Sequence, residues 1–208
     1  MLSELTIKEY LAKTAGADSV PAGGAAIAIN AALAASLTEK IAAIILSKSD
    51  DEEVKSYMET MIERMQILRD EFTECIDRDT DAYNELIDAY KMPEETNEDK
   101  VSRDEQIQKS ILIVAMVPFD IAEMAMRMMD FIIDAAKNAD KRIASDLCVA
   151  ISSARSAVVG GLIITRENLS SLKSKQIANE ITKKSDEIES EALFKEKDLF
   201  DWFKTLKY

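Results

Sequence analysis

Apolar side chains recur every three or four residues from Val54 to Leu86, and this spacing constrains the fold more than any other feature of the chain. It places these side chains on one face of an α-helix, so we predict a single helix from about residue 51 to residue 91. A helix of that length buries its apolar face only against other long helices. The members of this apolar row are Val54, Met58, Met61, Met65, Leu68, Phe72, Cys75, Ala82 and Leu86.

The rest of the chain continues the helical pattern. Helices are predicted over about 5–15, 22–46, 96–137 and 145–168, with Thr96 and either Ser145 or Asp146 as N-caps. Only five Gly and three Pro occur in 208 residues, and no period-two alternation marks a strand. We therefore predict one all-α domain over residues 1–208, an antiparallel bundle of long helices. A looser helix to about Phe194, then a separate short one carrying Trp202, is predicted at the C-terminus. Its apolar side chains lead us to expect a homodimer.

A proline and two adjacent glycines precede the most alanine-rich segment of the chain. Pro21, Gly23 and Gly24 form a predicted loop, and residues 22–46 form the helix that we expect at the centre of the bundle. A helix start offers free N–H groups and a partial positive charge, which suit an anion or a carbonyl group. The glycines could therefore bind a ligand, or they could serve only to let helices pack closely. The sequence leaves both interpretations open.

Asp79 is the one charged residue on the apolar face of the 51–91 helix. A carboxylate in that position is unfavourable unless a partner meets it. It could be a buried N-cap or salt-bridge partner, matched in the second case by Lys or Arg. It could equally be a carboxylate that faces an internal cavity open to a substrate.

Composition narrows the possible chemistry. The net charge of −13 argues against nucleic-acid and anionic-membrane partners. The absence of histidine removes the commonest general base and the commonest zinc ligand, and we expect no metal. Two cysteines without a CxxC motif favour a cytoplasmic location. The apolar run at 111–119 is too short to span a bilayer, and the alanine-rich helix reaches Glu39 and Lys40 before it is long enough.

Five stretches in fixed order carry a family resemblance. They are SVPAGGAAIAINAALA, RDTDAYNELIDAYKMP, AMVPFDIAEMA, KNADKRIASDLCVA and RENL. From about residue 5 to residue 172 the chain resembles the cyclodeaminase half of formimidoyltransferase-cyclodeaminase, whose family includes stand-alone methenyltetrahydrofolate cyclohydrolases. The resemblance implies an all-α homodimer with a folate site in a cleft near the glycine loop. The tetrahydrofolate derivative is then a substrate, and no cofactor is bound permanently.

The resemblance also implies roles for individual residues. Asp79 and Asp146 match positions that could exchange protons with the substrate, and we expect Asn138 and Asp146 to converge with the glycine loop on Asp79. The implied substrate-binding positions are Pro21, Gly23, Gly24, Tyr83, Asn138, Ser145 and Asn168. Pro118 matches a mid-helix proline of the family and is expected to free a backbone carbonyl group. Two positions depart from the family pattern: Ala22 stands where a third glycine is common, and Ile164 where an asparagine is common.

Three functions follow from the resemblance. The first is cyclisation of 5-formimidoyltetrahydrofolate to 5,10-methenyltetrahydrofolate with release of ammonia. That reaction joins two groups of one molecule, so orientation and two proton transfers suffice. The second is hydrolysis of the methenyl bridge by a methenyltetrahydrofolate cyclohydrolase. The third is a diverged, non-catalytic folate-binding helical dimer, which the departures at Ala22 and Ile164 keep open.

Overall fold

Six α-helices account for nearly all of residues 1–206, the part of the chain that the computed structural model describes. Their bounds are α1 Ile7–Thr14, α2 Gly23–Lys48, α3 Glu52–Tyr90, α4 Asn97–Lys137, α5 Ala144–Leu169 and α6 Lys175–Thr205. A 3₁₀ turn, Leu2–Glu4, precedes α1, and residues 1–206 contain no strand. The all-α prediction is confirmed.

The two longest helices, α3 and α4, begin at side chains that satisfy free N–H groups of their first turn. Asp51 accepts hydrogen bonds from the N–H groups of Glu53 and Val54, at 2.8 and 3.3 Å, at the start of α3. Thr96 and Asp99 form a reciprocal capping box at the start of α4, with both backbone bonds at 3.0 Å. The predicted Thr96 cap is therefore confirmed. The predicted cap at Ser145 or Asp146 is wrong, because α5 begins one residue earlier, at Ala144, with Ile143 at its N-cap.

Small side chains allow α2 to approach its neighbours α3, α4 and α5 closely. The alanines on the inner face of α2 are buried: Ala25, Ala28, Ala31, Ala34, Ala35 and Ala42. Gly160 and Gly161 have the same effect on α5. A Cβ on Gly160 would lie 2.9 Å from Ile27 Cγ2, and one on Gly161 would lie 2.7 Å from the carbonyl oxygen of Pro118. Both glycines are therefore required by packing.

Contacts along α2 and α5 fix which ends of the two helices are neighbours. Ile164, near the end of α5, lies beside Gly23 at the start of α2. Asp146, near the start of α5, forms an ion pair with Lys40, in the second half of α2. The N-terminus of α2 therefore lies beside the C-terminal part of α5.

The C-terminal segment differs from the prediction. A separate short helix after about Phe194 was expected, but α6 is continuous from Lys175 to Thr205. Its buried residues Ala192 and Leu199 continue one apolar face through that point, so nothing breaks the helix there. Phe200 and Trp202 pack, partly buried, on the chain's own core.

The helices α2 and α5 are each long and apolar enough to cross a membrane when length and composition are the only criteria, α2 included despite Glu39 and Lys40. The most apolar 18-residue segment has a mean hydropathy of 1.5 in α2 and 1.9 in α5. Of these segments, 39% and 50%, respectively, are buried inside the chain. A buried core helix gives the same hydropathy, so the values alone are weak evidence for a membrane. The unburied parts leave an apolar face on each helix that residues 1–206 do not cover.

Candidate functional site at the N-terminus of α2

The carboxyl group of Asp79 lies against the first turn of α2. Ala22, the N-cap of α2, offers no side-chain hydrogen bond to this helix start. Asp79, from α3, accepts the N–H of Ala25 instead. Gly24 is buried at the contact, and a Cβ added there would overlap all three atoms of the Asp79 carboxyl group. Gly24 is therefore the residue that makes room for this carboxylate.

The charge of Asp79 has no cationic partner among residues 1–206. The influences on it are burial, which raises its pKa, and the Ala25 N–H, which opposes that rise. Burial is the larger of the two, so the pKa is raised above that of an ordinary aspartate. A carboxyl group shifted in this direction exchanges protons more readily near neutral pH.

These contacts decide between the structural interpretations of Asp79. The capping interpretation is correct, because Asp79 caps a helix other than its own. The salt-bridge interpretation finds no partner in the described part of the chain. A carboxylate accepts several hydrogen bonds, so capping Ala25 leaves capacity for a ligand.

Other predicted residues lie at the same end of α2. Pro21 is buried just before the helix, Gly23 is exposed, and Tyr83 is half-buried one turn after Asp79 on α3. A Cβ on Gly23 would lie 3.2 Å from Ile164 Cδ1. Ile164, one of the two departures from the family pattern, therefore gives this helix start an apolar neighbour.

Asn168 supports the proline in α4. Pro118 has no N–H, so it cannot bond the carbonyl group of Val114 one turn earlier. The side-chain amide of Asn168 donates to that carbonyl oxygen at 3.1 Å. Asn168, predicted to bind substrate, therefore makes a structural contact. The Val114 carbonyl group, expected to be free, has a hydrogen-bond partner.

Tyr10 also belongs to this end and is not among the site residues predicted from the sequence. It is the one buried residue of α1 and is 8% exposed. Burial raises the pKa of its phenol, the Thr14 side chain opposes that rise, and the charge of Asp79 adds to it. The sequence could not identify Tyr10 as a site residue, because it shows neither that Tyr10 is the buried residue of α1 nor that Tyr10 lies near Asp79.

Asn138, Ser145 and Asp146 lie at the other end of α2. Asn138 is the C-cap of α4, Ser145 is exposed in the first turn of α5, and Asp146 binds Lys40 at 2.8 Å. From residue 24 to residue 40, at about 1.5 Å per residue, α2 separates the two ends by about 24 Å. The expected convergence of Asn138 and Asp146 on Asp79 is therefore wrong within one chain.

A cavity of about 310 Å³ lies at this second end. Its lining includes Asn138 and the cationic side chains of Lys48 and Arg142, both of which bind Asp140. In residues 1–206, no group of three or more His, Cys, Asp or Glu side chains could hold a metal ion. The ionisable groups of both ends are thus carboxylates, a phenol and Lys or Arg cations.

The fold and site together define a class: an all-α bundle in which an aspartate meets a Gly-Gly helix start and has no cationic partner within residues 1–206. A sequence model of the formiminotransferase-cyclodeaminase family matches residues 6–187. The chain therefore belongs to that family.

Individual relatives agree with the family assignment. A methenyltetrahydrofolate cyclohydrolase of Methylorubrum extorquens is 26% identical over 192 residues, covering 92% of each chain. The formimidoyltransferase-cyclodeaminase of Rattus norvegicus is 23% identical over 168 residues, which are 81% of this chain and 31% of that longer protein. The crystal structure of a formiminotetrahydrofolate cyclodeaminase from Thermotoga maritima has the same fold. Its TM-score is 0.87 at 20% identity, with 99% of this chain and 98% of that chain covered.

Proposed function

We propose that this protein is a folate one-carbon enzyme that cyclises 5-formimidoyltetrahydrofolate to 5,10-methenyltetrahydrofolate with release of ammonia. The observation that carries the proposal is the Asp79 carboxylate, which lies at the start of α2, has a raised pKa and meets no cationic side chain in the described part of the chain. Membership in the formiminotransferase-cyclodeaminase family supplies the substrate class.

The proposed reaction begins when N10 of the substrate attacks the carbon of the protonated formimidoyl group. Asp79 takes the proton that N10 loses and returns it to the former imino nitrogen, which leaves as ammonia. The C–N10 bond forms, the bond from carbon to the departing nitrogen breaks, and the positive charge remains on the methenyl bridge. Because both reacting nitrogens belong to one molecule, orientation and proton transfer account for the chemistry, and no permanently bound cofactor or metal takes part.

A methenyltetrahydrofolate cyclohydrolase is the second candidate. The Methylorubrum extorquens relative that covers 92% of both chains carries that name, and this likeness favours it. In this reaction Asp79 would remove a proton from the water that adds to the methenyl carbon. A single carboxylate thus serves either reaction. In the first, ammonia leaves the bridge carbon, and in the second, water adds to it.

The two candidates separate in one assay on the purified protein. Methenyltetrahydrofolate absorbance is followed with each folate as the starting material, and ammonia is measured in parallel. The proposal expects absorbance to appear from 5-formimidoyltetrahydrofolate with one ammonia released per turnover. Faster decay of added methenyltetrahydrofolate, with no ammonia from either substrate, would instead establish the cyclohydrolase. Folate binding without turnover would identify a non-catalytic folate-binding protein.

We further propose that the active protein is a homodimer formed by α2 and α5. The outward stripe of these helices is exposed or half-buried and includes Ile29, Leu33, Leu37, Val149, Ser153 and Ile163. In a dimer whose two-fold axis crosses the middle of this stripe, the Gly23–Gly24 end of one copy would lie beside the Asp146 end of the other. That arrangement would unite the two groups of predicted site residues, which lie about 24 Å apart within one chain.

Complementation tests whether the site is shared between copies. Asp79→Asn and Asp146→Asn proteins are prepared separately, then mixed under conditions that exchange subunits. If each site takes Asp79 from one copy and Asp146 from the other, a mixed dimer contains one intact site, and activity returns to about a quarter of wild type. A mixture that exchanges subunits but stays as inactive as its components would contradict the shared site.

A further inference from the structure

Among residues 1–206, two buried side-chain oxygens have no hydrogen-bond partner, and both belong to residues close to Asp79. They are the hydroxyl oxygens of Tyr10 and Thr80. Thr80 follows Asp79 directly on α3, and Tyr10 is close enough for the charge of Asp79 to raise its pKa. Buried hydroxyl groups nearly always have a partner, and leaving one without a partner is destabilising. Two such groups, one within reach of the Asp79 charge and one in the next residue of α3, point to a polar ligand.

Within residues 1–206 no hydrogen bond of normal geometry reaches the Tyr10 phenol, although the side chain of Thr14 lies close enough to lower its pKa. Thr14, one turn further along α1, donates its hydroxyl to the backbone carbonyl oxygen of Tyr10 at 2.9 Å. Tyr57 offers a comparison, because its hydroxyl donates to Asp134 at 2.7 Å and is satisfied within the chain. Tyr10 therefore differs from Tyr57 in burying a hydroxyl group that makes no hydrogen bond of normal geometry within residues 1–206.

The attachment of α1 also fits a ligand-contacting role for Tyr10. Tyr10 is the only buried residue of this helix, whereas Ile7 and Leu11 are 81% and 60% exposed. The 3₁₀ turn that precedes α1 is anchored on α3 by Asp77, which accepts the N–H of Leu2 at 2.5 Å. The helix thus follows an anchored turn and places a single polar-tipped aromatic side chain near Asp79.

We propose that Tyr10 is a substrate-contacting residue, whose hydroxyl group, together with that of Thr80, hydrogen bonds a reduced folate bound at Asp79. This inference rests on the proposed function for the identity of the ligand. The phenol serves as a donor, because it stays protonated at neutral pH beside the carboxylate. The hydroxyl of Thr80 can donate or accept. These contacts add to those of Asp79 and of the free N–H groups of α2.

The test compares Tyr10→Phe and Thr80→Val with wild type, and uses Tyr57→Phe as the matched control. Removing an unpartnered hydroxyl should leave the melting temperature of Tyr10→Phe unchanged or higher. The KM for 5-formimidoyltetrahydrofolate should rise about three- to tenfold in Tyr10→Phe, as for loss of one hydrogen bond, and in the same direction in Thr80→Val. Thr80→Ser, which keeps a hydroxyl group, should restore the wild-type KM. Tyr57→Phe should keep that KM and melt lower.

The outcomes separate this inference from the proposed function. A wild type that turns over folate, with KM and kcat unchanged in both Tyr10→Phe and Thr80→Val, would overturn the inference alone and assign the two oxygens to bound water. A wild type that binds 5-formimidoyltetrahydrofolate without turnover, and more tightly than Tyr10→Phe, would overturn the proposed reaction and support the inference. A wild type that neither binds nor converts either folate would overturn both.

Discussion

At the scale of single residues, the pair Asp79 and Gly24 determines the character of the site. The apolar spacing of α3 was enough to predict that Asp79 lies at the bundle interior. It was not enough to predict the partner, because the contact with Gly24 depends on how α3 lies against the start of α2. The sequence of α2 does not show that the space beside Gly24 is filled by a carboxylate from another helix.

Gly24→Ala should displace the Asp79 carboxyl group, because the added Cβ would overlap it. We expect a lower melting temperature and a loss of folate turnover as large as that caused by Asp79→Asn. Gly23→Ala is the stability control, since its Cβ would meet only the flexible end of Ile164 at 3.2 Å. Thermal melts and initial rates check both variants, and a Gly24→Ala protein with wild-type turnover would contradict the assigned contact.

The raised pKa of Asp79 also predicts how its contribution to stability changes with pH. Its folded-state pKa lies above the unfolded value of 3.8, so the folded protein holds the proton more tightly. The ionised group therefore lowers the free energy of unfolding at neutral pH, and this cost disappears as the pH falls through the folded pKa towards 3.8. Asparagine caps a helix about as well as aspartate.

Asp79→Asn should therefore melt at or above the wild-type temperature at pH 7, and the difference should shrink as the pH falls towards 4. Asp79→Ala, which loses the cap, should be less stable than Asp79→Asn by about 0.5–2 kcal/mol. Thermal melts from pH 4 to pH 7 give both comparisons. If the wild type instead loses stability relative to Asp79→Asn as the pH falls, the carboxylate is stabilised in the folded state.

At the scale of the helices, α4 and α5 are coupled through Pro118 and Asn168. Pro118 cannot supply the helical N–H that would bond the Val114 carbonyl, as predicted. The sequence could not show that the amide of Asn168, fifty residues after the proline, satisfies this carbonyl. The helix boundaries were closely predicted where capping side chains mark them, as at Asp51 and Thr96. They were missed at Ile143, which has no capping side chain.

A double-mutant cycle measures this coupling. Asn168→Ala should cost about 1–3 kcal/mol in the free energy of unfolding, because it leaves the Val114 carbonyl without its partner. The same change should cost less in a Pro118→Ala background, where the restored N–H of residue 118 can bond that carbonyl. Denaturant unfolding of the four proteins gives the coupling energy. Equal costs in the two backgrounds would mean that Asn168 serves another purpose.

At the scale of the whole molecule, the two groups of predicted site residues lie at opposite ends of α2. The family resemblance implied that all of them lie in one site, and spacing along a chain does not show which helix ends are neighbours. The dimer prediction was based on apolar side chains at the C-terminus, and one of them, Trp202, instead packs partly buried on the chain's own core. The uncovered face of α2 and α5 now supports the proposed dimer.

Charged substitutions on that face should prevent association. Leu33→Glu combined with Val149→Glu places two carboxylates per chain where the proposed dimer buries apolar surface; the two side chains are 49% and 52% exposed in one chain. Ile67→Glu is the matched control, at 52% exposure on α3 outside the stripe. Sedimentation should show a wild-type dimer, a dimeric control and a monomeric double variant. A wild type that is monomeric at micromolar concentration would contradict the proposal.

The turnover of Asp79→Asn tests the central claim most directly, namely that the carboxylate at the α2 N-terminus does chemistry on a reduced folate. Initial rates of methenyltetrahydrofolate formation and release of ammonia are compared with wild type, with the melting temperature measured on the same samples. The account predicts turnover lower by roughly a hundredfold or more, with the fold retained. A protein that melts far below wild type yet keeps its specific activity would contradict it, because Asp79 would then be a helix cap and nothing more.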